Sequence, residues 1–497
     1  MKHLKLLLLL FAASGFSQEV ELKWAEKIKT KHEVTILGGK DGHYYTRHRN
    51  GDKELICRIY DKDLKLVNEK PLQINVDAKK KLYSGAYFLG DKIVHFITEN
   101  IRKEDKDYLY GAITDLNLKA DPNTYVLDEA DDNSISFGLR SISPDSTKIL
   151  VFNESKSRKK DPSLLNFKVY NATLTEAILD RSVSLPIKAS KFSREAIEVD
   201  NFGNVYVLAK IYKEKEDKAK GQSEYSYKIF VFSKNDQKEF DFDFPDRDIE
   251  SIGILPGENN TLVCTGFLKI LNKGLFGSGK KRLISDELFS AVIDCKSLSL
   301  KTSNKLELEG LYPEKPRKTE DYVPYKVKDI FYDKDGGSVV VAEQYKLVVT
   351  TSYSPNGGTH TTYTYYYCDI ACIHINAKSE VVSVSKMPKY QRNAGNPSIL
   401  STYYKGNTYV IYEDLEKNAD AETDKETKRS SKGLFTSSSK NALFLLTIKP
   451  NGEMKKDVIY SYKESKIRPR VLTSVVAAKN EIILNADDQI GVLRFTN

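Results

Sequence analysis

The sequence predicts an all-β protein and, within that class, a single β-propeller. A unit of roughly 50 residues recurs along the chain, which is the period of propeller blades and solenoid repeats. Each unit contains short runs of β-branched and aromatic residues between turns rich in Asn, Asp and Gly. Central runs such as residues 205–209 and 339–342 are almost wholly apolar, which is typical of strands covered on both faces.

The repeat units set the number of blades. They begin near residues 33, 83, 135, 195, 251, 327, 398 and 471. The last unit is short, and residues 20–28 could supply its missing fourth strand. Such a closure would hide the sheet edges that an open array of blades exposes. We therefore predict eight four-stranded blades in a ring closed by this N-terminal strand, with seven blades as the alternative.

Residues 1–17 have the pattern of a signal peptide. Lys2 and Lys5 form a positive start, residues 6–11 an apolar core, and residues 12–17 a small-residue cleavage region. The apolar run is too short to anchor the chain across a bilayer, and we expect no transmembrane segment after cleavage. Residues 18–497 are then expected to form the propeller domain, exported to the periplasm or the extracellular space.

The charge balance gives little indication of a partner. The formal net charge of +8, from 77 basic and 69 acidic residues, is a mild excess for 497 residues. It permits attraction to anionic glycans or membranes without requiring it, and we expect no nucleic-acid partner. Hydrophobic residues form 40% of the chain, which is enough to build a core.

The five cysteines do not indicate a disulfide scaffold. An odd number leaves at least one thiol unpaired within the chain. Cys264 and Cys295 fall on strands that could be neighbours, so one disulfide between them is possible. For most of the five we expect buried free thiols.

The connections between strands are asymmetric. First and second strands are joined by short turns, whereas second and third strands are joined by long segments in most units. The long connections span residues 100–107, 154–163, 213–224, 269–287, 346–364 and 415–441. In an up-and-down blade all of these emerge on one face of the disc, here called the long-loop face, which we expect to bind partners.

Two of the long connections carry the same apolar tip. Leu275 and Phe276 follow Lys-Gly, as do Leu434 and Phe435 two blades later. These pairs could dock a partner, or they could fold back onto the disc as local staples. Because exposed Leu-Phe pairs in water are unfavourable, stapling is the favoured interpretation.

A third candidate is the connection at residues 346–364, which alternates in character and turns at a Pro-Asn-Gly-Gly sequence. This pattern predicts a hairpin that extends from the blade, with Tyr353 and Tyr363 near its tip. The tyrosine faces could stack on sugars or peptides. The simpler interpretation, which we favour, is a ladder of cross-strand Tyr and Thr pairs.

We find no motif for a cofactor, a metal or acyl-transfer chemistry. Residues 274–281 imitate a phosphate-binding loop, but Lys281 replaces the required Ser or Thr and no helix follows. The histidines are scattered without metal-ligand spacing, and no Gly-x-Ser-x-Gly elbow occurs. A pair of carboxylates from distant blades stays open as a glycosidase-like arrangement.

Several stretches resemble known exported repeat proteins. They are residues 200–208 (DNFGNVYVL), 264–267 (CTGF), 340–345 (VVAEQY) and 409–414 (YVIYED). With the signal peptide and the chain length, they resemble uncharacterised exported β-propeller-like proteins of the Bacteroidota. The turn at residues 143–146 (Ser-Pro-Asp-Ser) is similar to the Ser-Pro-Asp-Gly turn of TolB-like and WD40-like repeats. This resemblance implies a propeller that binds other proteins or envelope components.

Two functional hypotheses follow. The leading one is a non-enzymatic binding or scaffolding propeller of the cell envelope that contacts a protein or glycan through its long-loop face. The alternative is a propeller enzyme acting on glycans or peptides. It would require carboxylates of perturbed pKa gathered in the central funnel.

Overall fold

The computed structural model describes most of the chain after residue 19. The described residues are 20–30, 33–50, 54–73, 82–131, 136–155, 157–214, 216, 223–244, 247–270, 287–311, 323–353, 359–392, 399–423, 426–428, 440–464, 467–486 and 488–496. The predicted signal peptide, residues 1–17, lies outside them.

The described strands form eight antiparallel sheets. In seven of them four strands consecutive in the sequence are also neighbours in space, and the eighth combines the last three strands with the first. This arrangement confirms the prediction of an all-β propeller with eight four-stranded blades, and it removes the alternative of seven.

Blades 1 to 4 are built from sixteen consecutive strands. Blade 1 contains β2 (Thr35–Lys40), β3 (His43–Asn50), β4 (Glu54–Tyr60) and β5 (Leu66–Pro71). Blade 2 contains β6 (Leu82–Leu89), β7 (Lys92–Ile101), β8 (Lys106–Asp115) and β9 (Ala120–Asp131). Blade 3 contains β10 (Ser136–Ile142), β11 (Lys148–Ser155), β12 (Pro162–Asn171) and β13 (Ala177–Lys188). Blade 4 contains β14 (Phe192–Val199), β15 (Val205–Tyr212), β16 (Tyr225–Phe232) and β17 (Gln237–Phe242).

Blades 5 to 8 follow the same plan, with one extra strand in blade 6. Blade 5 contains β18 (Arg247–Pro256), β19 (Thr261–Ile270), β20 (Glu287–Asp294) and β21 (Ser299–Glu307). Blade 6 contains β22 (Tyr325–Tyr332), β23 (Ser338–Tyr353), β24 (Thr359–Ile375), β25 (Val381–Met387) and the short β26 (Gln391–Arg392). Blade 7 contains β27 (Ile399–Tyr404), β28 (Asn407–Leu415), β29 (Asn441–Ile448) and β30 (Met454–Ser461). Blade 8 contains β31 (Arg470–Ala478), β32 (Glu481–Asn485), β33 (Ile490–Phe495) and β1 (Val20–Trp24).

Helix is limited, among the described residues, to single 3-10 turns such as Ala189–Lys191 and Glu416–Asn418. A search of the same residues for a helix long and apolar enough to cross a membrane finds none.

The ring is closed by β1. This strand pairs antiparallel with β33, from Val20 opposite Phe495 to Trp24 opposite Gly491. At the inner edge, β31 of blade 8 lies against β2 of blade 1. The closing strand is therefore the predicted one, although it ends at Trp24 and not at residue 28.

A polar network ties the closing blade to blade 1. Arg494 donates to Glu481 (2.8 Å), to the Tyr44 hydroxyl (2.7 Å) and to the carbonyl oxygen of Lys62. The Tyr44 hydroxyl donates in turn to Glu481 over 3.0 Å, and burial raises the pKa of Tyr44 to about 12. Contacts between the first and last blades thus add to the backbone pairing of β1.

The core lies between adjacent blades. Between blades 4 and 5, for example, Tyr206, Leu208 and Ile229 pack with Leu262 and Phe289 from the next sheet. Burying an aliphatic or aromatic side chain of this size stabilises a fold by roughly 1.5–3 kcal/mol. Because every sheet packs on two neighbours, its central strands are apolar on both faces, as the sequence indicates.

The cysteines are part of this core. All five are buried and none is in a disulfide, so the disulfide considered between Cys264 and Cys295 does not form. Burial raises the pKa of the Cys57 thiol to about 12. A thiol with so high a pKa is hardly ionised near neutral pH and is unreactive.

Bulges recur in the innermost strands. In blades 1, 2, 4, 5 and 6, one extra residue interrupts the pairing of the first strand with the second. The extra residues are Leu37, Ser84, Glu195, Glu250 and Lys328. A bulge re-aims the side chain it carries, so these side chains occupy positions that regular pairing would not give them.

Trp24 and Gly491 provide a test of the closure. A Cβ at Gly491 would lie 2.6–2.9 Å from the Trp24 ring, so Gly491→Ala must displace β1 and is expected to lower the free energy of unfolding by about 1–3 kcal/mol. Urea unfolding measures the effect. In a Trp24→Ala background the same substitution should cost much less. An equal cost in both backgrounds would contradict the closure.

Candidate functional site

The long hairpin of blade 6 extends well beyond its sheet. The pairing of β22 with β23 stops at Gln344, and the pairing of β25 with β24 starts at Ile370. Residues 345–353 and 359–367 continue as a two-stranded ribbon, here called the arm. At about 3.4 Å per residue, the arm projects roughly 27 Å. It grows from the connection between second and third strands and so rises from the long-loop face.

The predicted candidates Tyr353 and Tyr363 lie on one face of the arm. Register pairs Tyr353 with Thr359, and Tyr363 with Val349, which confirms the expected ladder of cross-strand pairs. The ladder does not bury them, since Tyr353 is 80% and Tyr363 56% exposed. The cross-strand pairs therefore form and leave aromatic surface open to solvent, while stacking of these rings on a sugar or peptide stays a prediction.

The same face carries further exposed apolar side chains. Leu347 and Tyr365 are paired across the ribbon, next to the Val349–Tyr363 pair. All four are exposed. On the opposite face, Thr364 is buried and Tyr366 contacts the ring of Tyr390. One face of the arm is thus covered near its base, while the other presents an exposed apolar stripe that the Thr351–Thr361 pair interrupts before Tyr353.

The arm carries almost no charge. Charged residues form 29% of the whole chain, yet residues 347–368 include no Asp, Glu, Lys or Arg. A ribbon of Val, Thr, Ser and Tyr offers hydroxyls, aromatic faces and backbone groups, and it has little attraction for a polyanion.

A buried charge network holds the base of the arm. Glu343, at the end of the regular part of β23, is fully buried and contacts Lys389 (2.6 Å) and Lys328 (3.1 Å). The Lys389 ammonium is also fully buried and donates to Gln391 over 3.0 Å. Lys328 is the bulge residue of β22, so the irregular pairing of the innermost strand supplies the second cation.

The network also fixes β24 and blade 7. Asp369, where β24 enters the sheet, contacts Lys386 (2.8 Å) and accepts from the backbone N–H of Lys389 (3.4 Å). The Gln391 side chain donates to the carbonyl oxygen of Glu413 in blade 7. Both strands of the arm are therefore anchored at their exit from the disc, and the anchor spans two blades.

Asp414 of blade 7 lies close to the same cluster. Burial raises the pKa of this carboxyl to about 6, and the charge of Lys389 is among the smaller opposing influences. The Leu415 N–H (2.7 Å) and the Asn418 side chain (3.1 Å) donate to its oxygens. The junction of blades 6 and 7 thus contains a carboxyl that titrates in the mildly acidic range.

The other candidates cannot be placed. Leu275 and Phe276 fall in residues 271–286, and Leu434 and Phe435 in residues 429–439, which lie outside the described residues. Their roles as docking tips or as local staples stay predictions.

Buried carboxylates are spread over several blades. Burial raises the pKa of Glu198, Asp329 and Asp200. Each is engaged in a local hydrogen bond: Ser141 donates to Glu198, Ser401 to Asp329, and Tyr206 to Asp200. Such bonds suit structural roles, and they do not bring these carboxylates together as a catalytic pair.

Two cavities within the described structure lack the carboxylates that a glycosidase-like reaction would require. One, of about 340 Å³, lies among Leu179, Phe202 and Ser233; the other, of about 290 Å³, lies among Leu37, Arg47 and Tyr83. Neither lining includes an acidic side chain. Within the described ranges no cluster of three or more His, Cys, Asp or Glu is placed to hold a metal ion.

Comparison with known proteins finds distant structural similarity and no matching sequence family. No protein-family model and no curated protein matches its sequence. It is similar to the β-propeller domain of the trilobed protease from Pyrococcus furiosus, at 11% identity over 87% of this chain and 98% of that one, with a TM-score of 0.36. It is also similar to the WD40 domain of SCAP from fission yeast, at 10% identity over 97% and 99%, with a TM-score of 0.30. A protein of unknown function from Bacteroides caccae matches at 11% identity over 72% and 94%, with a TM-score of 0.26. These are distant β-propeller proteins, and the eight sheets described above define the class of this one.

The buried base network was missed by the sequence reasoning. Its signal was an acidic residue, Glu343, at the end of the apolar run 339–342. A charge in a central strand requires a partner, but the partner Lys389 lies 46 residues away. No pattern in the sequence connects the two positions.

Removing the Lys389 ammonium tests the importance of the base network. Lys389→Met leaves the buried Glu343 carboxylate without its shorter ion pair, so we expect a loss of about 3 kcal/mol in the free energy of unfolding. Urea unfolding gives the value. The control is Lys455→Met at the exposed pair Lys455–Asp457, where the loss should stay below about 1 kcal/mol. Similar losses in the two variants would contradict a buried anchor.

Asp414 provides a pH-dependent test. Its pKa in the folded protein, about 6, exceeds the unfolded value of about 4, so the folded state binds the proton more tightly. The stabilisation from this group is therefore complete below about pH 4 and is lost as the pH rises through 6. Relative to Asp414→Asn, the wild type should lose about 2 kcal/mol between pH 4 and pH 7. Urea unfolding at both pH values measures this difference, and a constant difference would exclude the raised pKa.

Proposed function

We propose that this protein is a non-enzymatic binding or scaffolding propeller of the cell envelope, and that the arm on its long-loop face contacts a partner protein. The observation that carries the proposal is the arm itself. It is a projecting, uncharged ribbon with an exposed aromatic stripe and a base held by buried ion pairs. A rigid base keeps such a ribbon in one orientation, which lowers the entropy lost on binding.

The unprotected edges of the arm favour a protein over a glycan. Natural sheets protect exposed edges with Lys, Pro, bulges or a covering segment. Along the described residues 347–353 and 359–365, neither edge carries a Lys or a Pro. β26 covers β24 only at Tyr366 and Tyr367. An extended segment of another protein could therefore add as a third strand and bury its side chains against the stripe.

The proposed location follows from the sequence of residues 1–17. Their signal-peptide pattern supports export to the periplasm or the extracellular space. The grouping with exported β-propeller-like proteins of the Bacteroidota, which resemble this chain in several stretches, is part of the same proposal. In such an environment the arm would meet other envelope proteins.

The test compares two faces of the arm. Tyr353→Thr combined with Tyr363→Thr removes the two most exposed tyrosines of this face. At about 2 kcal/mol for each, or about 4 kcal/mol together, the affinity for the partner should fall roughly 1,000-fold. Thr350→Ala combined with Thr362→Ala alters the opposite face and serves as the control. The measurement is recovery from an envelope fraction, followed by titration of the recovered protein. Equal binding by wild type and both variants, or no protein recovered by the wild type, would contradict the proposal.

A further inference from the structure

A cavity lies between the innermost strands of blades 1 and 2. It has a volume of about 290 Å³ and is lined by residues from the start of β2 and of β6, together with Arg47 from β3. The innermost strand of each blade runs from the long-loop face to the short turn that joins it to the second strand. Because the cavity is formed by the starts of β2 and β6, it lies near the long-loop face. The bulge residues Leu37 and Ser84 are both part of its lining.

Arg47 presents a positive charge to this cavity, and none of the carboxylates that the structure describes is paired with it. One of its Nη atoms donates to the Thr35 hydroxyl over 3.0 Å, and its guanidinium carbon lies 4.3 Å from the centre of the Tyr83 ring. Its Nε is buried and has no hydrogen-bond partner among the described residues. Within the described ranges, no carboxylate forms an ion pair with it. Burial consequently lowers the pKa of Arg47.

Two other partly buried arginines of the described structure are each paired with a carboxylate. Arg247 contacts Glu287 at 2.5 Å, and Arg494 contacts Glu481 at 2.8 Å. Taking a charge out of water costs several kcal/mol unless an opposite charge compensates. Within the described residues Arg47 has no such partner, so the anionic group of a ligand could supply the compensating charge.

A second arginine binds Ser84 of β6, one of the residues that line the cavity. Arg140 of blade 3 donates to the hydroxyl and to the carbonyl oxygen of Ser84, each over 2.8 Å. Its Nε also lacks a hydrogen-bond partner in the part of the chain that the structure describes. Arg140 therefore fixes one lining residue and adds positive potential beside the cavity.

The aromatic wall of the cavity is rigid. The Tyr83 hydroxyl is bonded to Nδ1 of His95 (3.0 Å), whose Nε2 is bonded to the Thr114 hydroxyl (3.0 Å). Burial lowers the pKa of His95 to about 3, so this chain of hydrogen bonds is uncharged near neutral pH. The positive charge at the cavity is then that of the arginines.

We propose that this cavity binds a small molecule through an oxyanion, a carboxylate or a phosphate, with Arg47 as the residue in direct contact. The anion accepts hydrogen bonds from the free guanidinium donors, and the ring of Tyr83 holds the guanidinium plane in place. Arg140 is a positioning residue that orients Ser84. The volume suits a ligand at the small end of the range for protein pockets.

Calorimetric titration of the full chain in a low-chloride buffer tests the proposal, with glucuronate, glutamate and inorganic phosphate as separate probes. Wild type should bind at least one of them saturably, and the carboxylate and phosphate probes distinguish the two sources of the anion. In Arg47→Met the dissociation constant should rise at least about tenfold, because a hydrogen bond to a charged group is lost. Arg47→Lys should retain part of the affinity.

The control is Arg181→Met. Arg181 also lies over an aromatic ring, that of Phe232, and it donates to the carbonyl oxygens of Ser233 and Asp236. These residues belong to blades 3 and 4, whereas the cavity lies between blades 1 and 2. The variant should bind the probes as the wild type does. Without probes, Arg47→Met should unfold at the same or a higher urea concentration, since an unpaired buried charge is removed. No saturable binding by the wild type, or equal binding by Arg47→Met and Arg181→Met, would overturn the proposal.

Discussion

The pairing of β1 with β33 is the constraint on which the rest of this structure depends. Seven blades are made of strands that follow each other in the chain, and their pairing is local. Only blade 8 joins residues from the two ends of the described chain, with Leu22 opposite Leu493. Without this pairing, β33 would present an unpaired edge, and β31 would be less firmly held against β2. Closure therefore keeps all eight blades packed on two neighbours.

A closed ring explains how charges can be buried at the junction of blades 6 and 7. Taking Lys389 and Glu343 out of water is costly, and their attraction offsets this cost because the surrounding sheets hold the two groups at a fixed short distance in a medium of low dielectric constant. The neighbouring blades on both sides exclude water from this site, and the hydrogen bond from Gln391 to the carbonyl oxygen of Glu413 ties it to blade 7. The arm can then project about 27 Å without relying on contacts along its length.

Much of the fold could be predicted from the sequence because the blades repeat. Turn residues, apolar central strands and even the role of Val20–Trp24 follow local rules of strand pairing. The hairpin that carries Tyr353 and Tyr363 also followed from the alternating pattern on either side of its turn. The base of the arm and the arginine cavity were harder to predict, because they depend on contacts between residues that are distant in the sequence. Glu343 with Lys389, and Arg47 with Tyr83, are brought together only by blade packing and bulges, which leave no periodic signal.

The central claim is that the arm is the surface on which a partner protein adds. Hydrogen–deuterium exchange, measured on the wild-type protein with and without the recovered partner, tests it most directly. The account predicts slower exchange in residues 345–353 and 359–367 on binding, since a third strand would engage their free backbone amides. Unchanged exchange in the arm, with new protection confined to the short turns of the opposite face such as residues 143–147 or 333–337, would contradict it.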